Sequence, residues 1–169
     1  MAEAYGSGGF AGFWTWVKDA LQVSLTPDDI AWVRENWPGK LVIKGVLDSD
    51  DARVAVEAGA DGVIVSNHGG RQLDSAQSGI AALPRIVEAV GDQMTVLMDG
   101  GVRSGEDVVK AMALGAQACL IGRPWAYALA ARGEVGVAHV LELFKKQMTT
   151  TMILAGCDDA RNIGTAMLT

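Results

Sequence analysis

The stretches DSDDARVAVEAGADGVIVSN (48–67) and SGEDVVKAMALGAQACLIGR (104–123) align without a gap. They share Asp51 with Asp107, Ala55 with Ala111, and Gly59-Ala60 with Gly115-Ala116. Each follows a strand-like run, LVIKG at 41–45 and TVLMDGG at 95–101. Such a repeat constrains the fold more than any single motif. Each copy is one supersecondary unit, and it must bury its apolar face against its neighbours.

Each copy reads as a turn, a helix and a strand, fed by the strand before it. Asp48 and Ser104 suit helix N-caps, with Asp51 and Asp107 three residues on as a variant capping box. Gly59 and Gly115 suit the left-handed position just past a helix end. The runs GVIV and ACLI lack polar alternation, as strands buried on both faces of a parallel sheet do. Between the copies, SGIAALPRIVEAV places Ile80, Leu83, Ile86, Val87 and Val90 at helical spacing, with Pro84 arguing for a break or an early-turn position. A last helix is predicted from about Val135, with Val137, Leu141, Phe144, Met148 and Met152 as its core-facing stripe and Gly156 as its cap. The expected result is four parallel strands near 41–45, 62–66, 95–99 and 118–121. They could form a small open sheet or half of an eight-stranded barrel. Both architectures bind ligands at the C-terminal ends of their strands.

Composition narrows the function. The 169 residues are 50% hydrophobic and 20% charged, which fits one globular domain. A formal charge of −6 gives no electrostatic support to a nucleic-acid role. No apolar run approaches the roughly 20 residues that span a bilayer. Two cysteines, Cys119 and Cys157, suggest no disulfide framework, and a reducing, cytoplasmic setting is expected.

Unusual residues stand at the four strand ends: Lys44, then SNHGGRQ, DGGVRSG and IGRP. Lys44 ends an apolar strand, and beside a bound anion it would be a fixed positive charge. His68 lies between Asn67 and Gly69-Gly70, in a turn that lets backbone approach a ligand, and imidazole exchanges protons near neutrality. Arg71 offers a planar fork that pairs with a carboxylate in two hydrogen bonds. A base so close to a carboxylate clamp suggests an acidic organic substrate. Arg103 and Arg123 each sit in a glycine-bearing loop before a helix, the arrangement of an anion site. Gly101 and Gly105 could equally be tight structural turns. His139 has no such company and is expected at the surface.

With these residues in view, the chain resembles the FMN-dependent α-hydroxy-acid dehydrogenase and oxidase family. The resemblance runs from about residue 25 to 157. It rests on IKG (43–45), SNHGGRQLD (66–74), DGGVRSGEDVVKAMALGA (99–116) and IGRP (121–124). It implies a (β/α)8 barrel whose fifth to eighth strands are those above, with FMN as cofactor and an L-2-hydroxy acid oxidised to the 2-oxo acid. It implies that His68 is the base and Arg71 binds the substrate carboxylate. Lys44 would stand at the flavin N1/O2 edge and Ser66 would touch the ring. Asp99, Gly100, Gly101, Arg103, Gly122 and Arg123 would line the ribityl phosphate. No metal is implied. The stretch LTPDDIAWVRENWPGKLVIKG is lactate-dehydrogenase-like, so L-lactate is the expected substrate.

One departure accompanies these agreements. Such a barrel takes about 250 residues, and the family's first four βα units have no counterpart in this sequence. The chain is therefore expected to work with a complementary N-terminal half-barrel chain, or by self-association, and to be inactive alone. Residues 1–25 read as the remnant of the loop after barrel strand 4, and residues 26–169 as the half-barrel with the FMN phosphate site. Phe10, Phe13, Trp14, Trp16 and Val17 form an aromatic cluster in that loop. Packing against a partner chain is the expected use of it, and a weak peripheral membrane contact, to the inner membrane, is the alternative. Thr26, Pro27 and Asp28-Asp29 mark the start of the next helix. A second functional reading is a non-catalytic flavin- or phosphate-binding half-barrel, or an inactive fragment of a longer enzyme. The presence of both His68 and Arg71, which a binding module does not need, favours the enzyme.

Overall fold

The computed structural model describes residues 9–20 and 25–168. Helices α1 (Gly9–Ala20) and α2 (Pro27–Asn36) come first. The chain then alternates β1 (Val42–Val46), α3 (Ser49–Glu57), β2 (Gly62–Val65), α4 (Gly79–Val90), β3 (Thr95–Met98), α5 (Gly105–Ala113) and β4 (Ala118–Cys119). The long α6 (Arg123–Leu154) and two short 3-10 turns close it. Every strand pair is parallel, and the order is β1-β2-β3-β4. That order decides between the two architectures left open above. A doubly wound sheet reverses its order at a switch point, whereas a barrel sets each new strand beside the last. The chain is four consecutive βα units of the barrel kind.

The repeat survives at atomic detail. Gly59 N–H bonds Val56 O and Ala60 N–H bonds Ala55 O, while Gly115 N–H bonds Met112 O and Ala116 N–H bonds Ala111 O. Both helices thus stop by the same two backbone bonds, with a glycine in the left-handed region. Their starts differ. Ser104 and Asp107 form a complete capping box, whereas Asp48 accepts only from Asp50 N–H. Thr26 and Asp29 form the other reciprocal box, with Pro27 in the first turn.

The core lies between the sheet and its helices. Val63, Val65 and Val96 from the strands meet Leu83, Ile86 and Val90 of α4, all essentially inaccessible. Deleting such side chains to alanine costs about 2–5 kcal/mol each. Helix α2 is fastened to the other end of the sheet by Arg34, which pairs with Asp61 at 3.1 Å. Asp61 also accepts from Leu41 N–H at 2.9 Å and from Lys40 at 2.6 Å.

Several expectations are corrected. Pro84 does not break α4; the helix runs through it. Burial of Leu83 and Ile86 on either side outweighs the one lost backbone bond. Burial on both faces holds for β2 but not for β4, where Ala118 is exposed and Cys119 half-buried, because β4 is an edge strand. The last helix does begin near residue 134, but a helical stretch at 123–131 precedes it across a kink at Arg132 and Gly133. In the stripe, Phe144 is buried while Leu141 is 53% exposed. Residues 9–20 are helical, with Phe13 edge-on to Trp14 and both Trp14 and Trp16 exposed. The rest of 1–24 lies outside the described residues, as do the side chains of Phe10 and Lys18.

Candidate active site

Each candidate residue follows the C-terminal end of a strand or lies just inside it. Lys44 is the third residue of β1. Its ammonium donates to Ser66 Oγ at 2.9 Å and pairs with Asp99 Oδ2 at 2.9 Å. It therefore links the ends of three neighbouring strands, and the two contacts hold a long, flexible side chain in one place. Asp99 Oδ1 is buried with no hydrogen-bond partner among the described residues.

The turn after β2 carries His68 at φ 56, the one non-glycine residue with positive φ among those described. Such a conformation costs on the order of 1 kcal/mol and persists only where its surroundings impose it. Two side chains do so. Ser66 Oγ accepts from His68 N–H at 3.0 Å, and Asn67 Oδ1 accepts from Gly69 N–H at 3.1 Å and Gly70 N–H at 3.2 Å. Arg71 Nε then donates to His68 O at 3.4 Å.

The loops after β3 and β4 bring the remaining cations. Arg103 stands just before the capping box that starts α5, and its N–H donates to Asp107 Oδ2 at 2.9 Å. Gly122 caps α6 and Arg123 is its first residue. Arg123 reaches across to donate to Gly69 O at 2.9 Å.

These elements enclose a cavity of about 330 Å³ lined by Lys44, His68, Arg71 and Asp99, by Gly100, Gly101 and Arg103, and by Gly122 and Arg123. Four permanent cations face one carboxylate, inside a chain of net charge −6. The cavity is thus electropositive where the protein as a whole is not, and it suits an anionic ligand. Nothing among the described residues lies within 4 Å of where a side chain would start on Gly101 or Gly122. A ligand can therefore approach both backbones closely. An adjoining cavity of about 370 Å³ shares Gly69, Gly100, Gly101, Arg103 and Arg123.

One candidate stands apart. Ser66, expected to touch a bound ring, is completely buried and lines neither cavity. Its hydroxyl accepts from Lys44 and from the N–H of His68. Gly105, left open as a turn, is packed beneath α6, where a side chain would strike Phe144 O and lie 2.5 Å from Met148 N. Gly101, left open with it, is the one that faces the cavity. Sequence reasoning missed Trp125, Leu120 and Val102, which line the first cavity. Trp125 follows the GRP motif directly, and that position was the available signal.

The remaining reactive groups lie elsewhere. His139 is exposed on α6. Burial, with Asp107 adding to it, pushes the Cys119 thiol up to about 11, so it stays protonated and is no nucleophile at neutral pH. Among the described residues no cluster of His, Cys, Asp or Glu is placed to hold a metal ion.

Known proteins resemble this chain over almost its whole length. The profile of the family described as FMN-dependent dehydrogenase matches residues 3–169. The L-lactate dehydrogenase of Caulobacter vibrioides (strain NA1000 / CB15N) is 53% identical over 169 residues, covering 99% of this chain and 44% of that protein. The L-lactate dehydrogenase of Pseudomonas putida (strain GB-1) is 49% identical over 155 residues, covering 92% and 41%. Among solved structures, that of the monotopic membrane protein (S)-mandelate dehydrogenase superposes with a TM-score of 0.87 at 41% identity, covering 97% of this chain and 43% of that one. A mandelate oxidase structure superposes at 0.79 with 50% identity, covering 85% and 41%. The chain spans less than half the length of each of these relatives.

Proposed function

The chain belongs to the FMN-dependent dehydrogenase family, and on that premise we propose that it oxidises an L-2-hydroxy acid, L-lactate first among them, to the 2-oxo acid. We propose further that it does so as the C-terminal half of a complete (β/α)8 barrel. The observation that carries this reading is the convergence of His68, Arg71 and Lys44 with the two arginine-bearing loops around one electropositive cavity.

The residues present fit the cofactor. Asp99 Oδ1 is an acceptor left over for a ligand hydroxyl, and Gly101 and Gly122 leave open space before their backbones. Arg103 and Arg123 would hold the phosphate, beside the backbone of Gly100, Gly101 and Gly122. Lys44, kept in place by Ser66 and Asp99, would set a positive charge beside the ring. When bound, FMN supplies the two-electron acceptor that the side chains lack.

Arg71 would take the substrate carboxylate in its fork, which orients the α-carbon. A ring nitrogen of His68 would take the proton that the oxidation releases from the alcohol, as a general base does. Its fixed backbone spares the reaction the entropy of finding that geometry. The open edges at β1 and β4, with Val42 and Ala118 exposed on them, support the proposal that a complementary half-barrel closes this one. Turnover would then need both halves. Both cysteines are free thiols, which supports a cytoplasmic setting. No helix among the described residues is long and apolar enough to cross a membrane. The exposed Trp14 and Trp16 of α1 support a second, compatible reading, a peripheral contact at a bilayer surface.

The test is the visible absorption of the purified chain, with and without the complementary half from one of its relatives, before and after anaerobic L-lactate. Bleaching of a yellow assembly by lactate is expected. A yellow assembly that no 2-hydroxy acid bleaches would leave a flavin-binding module without turnover.

A further inference from the structure

We propose that Gly45 is a positioning residue for His68, seating the imidazole by the absence of its own side chain. Three observations carry this. First, the β1–β2 ladder slips at this point: Lys44 pairs with Ile64 and Val46 with Val65, leaving Gly45 as the extra residue of a bulge. Second, Gly45 has φ +99, in the region that favours glycine. Third, a Cβ on Gly45 would stand 2.6 Å from His68 Cε1, 3.4 Å from Nε2 and 3.5 Å from Nδ1. The ring therefore lies against the bare backbone of β1, leading with its Cε1 edge.

A bulge re-aims the strand next to a site, and here it serves two groups at once. Lys44, just before it, points to Ser66 and Asp99, while the bulged residue itself leaves room for the imidazole. The backbone of His68 cannot yield to an added methyl, because Ser66 and Asn67 hold the turn on both sides. The ring alone can move. An alanine at position 45 would thus swing the imidazole away from β1 and leave the turn in place.

The inference rests on the reading of His68 as the base, yet its first tests do not need turnover. The chain has two histidines, so its imidazole Hε1 resonances are two, and His139 is an internal reference. In the isotope-labelled 169-residue chain, a nuclear Overhauser contact is expected between His68 Hε1 and Gly45 Hα. Gly45→Ala should shift the His68 ring signals and leave those of His139 unmoved. Should that variant fold poorly, the loss of Tm on Gly45→Ala is compared in the wild-type and His68→Ala backgrounds. A smaller loss without the imidazole is expected. Absence of the contact, unmoved His68 signals, or equal losses in both backgrounds would overturn the seat. If lactate reduces the assembled flavoprotein, Gly45→Ala should slow reduction at saturating lactate more than it weakens lactate binding. If lactate does not reduce it, the functional reading fails while the seat still stands or falls on the spectra.

Discussion

Arg123 donates to the carbonyl oxygen of Gly69 at 2.9 Å, across 54 residues of sequence. The bond ties the start of α6 to the turn that carries His68. Arg123 lines both cavities, so the residue proposed to hold the cofactor phosphate also braces the proposed base. Arg123→Ala should weaken FMN binding by about tenfold to a hundredfold, the worth of a charge-assisted hydrogen bond. Lysine in its place should restore part of this, since it keeps the charge and loses the fork. Quenching of FMN fluorescence measures both. Wild-type affinity in the alanine variant would remove Arg123 from the phosphate site.

The two residues of the His68 turn should fail differently. In the assembled enzyme His68→Ala is expected to abolish reduction by lactate while the flavin stays bound. Arg71→Ala should chiefly weaken substrate binding, because the fork is lost and the base is not. Stopped-flow reduction at a series of lactate concentrations separates the two effects. Unchanged turnover in the His68 variant would end its assignment as base.

Asp61 makes the fold sensitive to acid. The hydrogen bond from Lys40 foremost, then that from Leu41 N–H, lowers its carboxyl from 3.8 to about 2. Lys40 is 86% exposed, so that pair adds little stability by itself. A depressed carboxylate stabilises the fold above its unfolded value and ceases to as pH falls through the folded one. The contribution is therefore whole above about pH 4 and lost towards about pH 2. Asp61→Asn should lower Tm at neutral pH and flatten its fall across that window. Parallel Tm profiles for the two proteins would show that Asp61 is not the group responsible.

Gly105 tests the packing of α5 on α6. A methyl there would meet Phe144 O and Met148 N, both main-chain atoms that cannot rotate away. Gly105→Ala should cost about 1–3 kcal/mol, as overpacking does. At about 2–4 °C per kcal/mol for a chain of this size, thermal unfolding monitored by circular dichroism resolves it. A Tm within a degree of wild type would show that α6 can give way.

Much of this was legible in the sequence because it is local. The glycine stops at Gly59 and Gly115 and the caps at Thr26, Asp48 and Ser104 depend on residues within one turn of each other, and all five stand where they were read, although Asp48 caps without the expected box to Asp51. Pro84 was misread because its local cost was visible while the burial that outweighs it, in Leu83 and Ile86, belongs to the packed sheet. The two-sided burial of β4 failed for a similar reason, since an apolar run does not say whether a neighbouring strand exists.

The residue types of the site were equally plain, and nine of the ten candidates line one cavity. The tenth, Ser66, is buried beneath it. Its register decides that its hydroxyl meets Lys44 and His68 N–H and not the cavity. The sequence by itself determined four βα units and the residue types at their ends, because periodicity, capping and turn residues act over a few positions. The tertiary structure alone decided the barrel order of the strands, the bulge at Gly45 and the bonds joining Lys44 to Asp99 and Arg123 to Gly69. Those contacts join residues far apart in the chain, and their energies exist only once the sheet has brought them together.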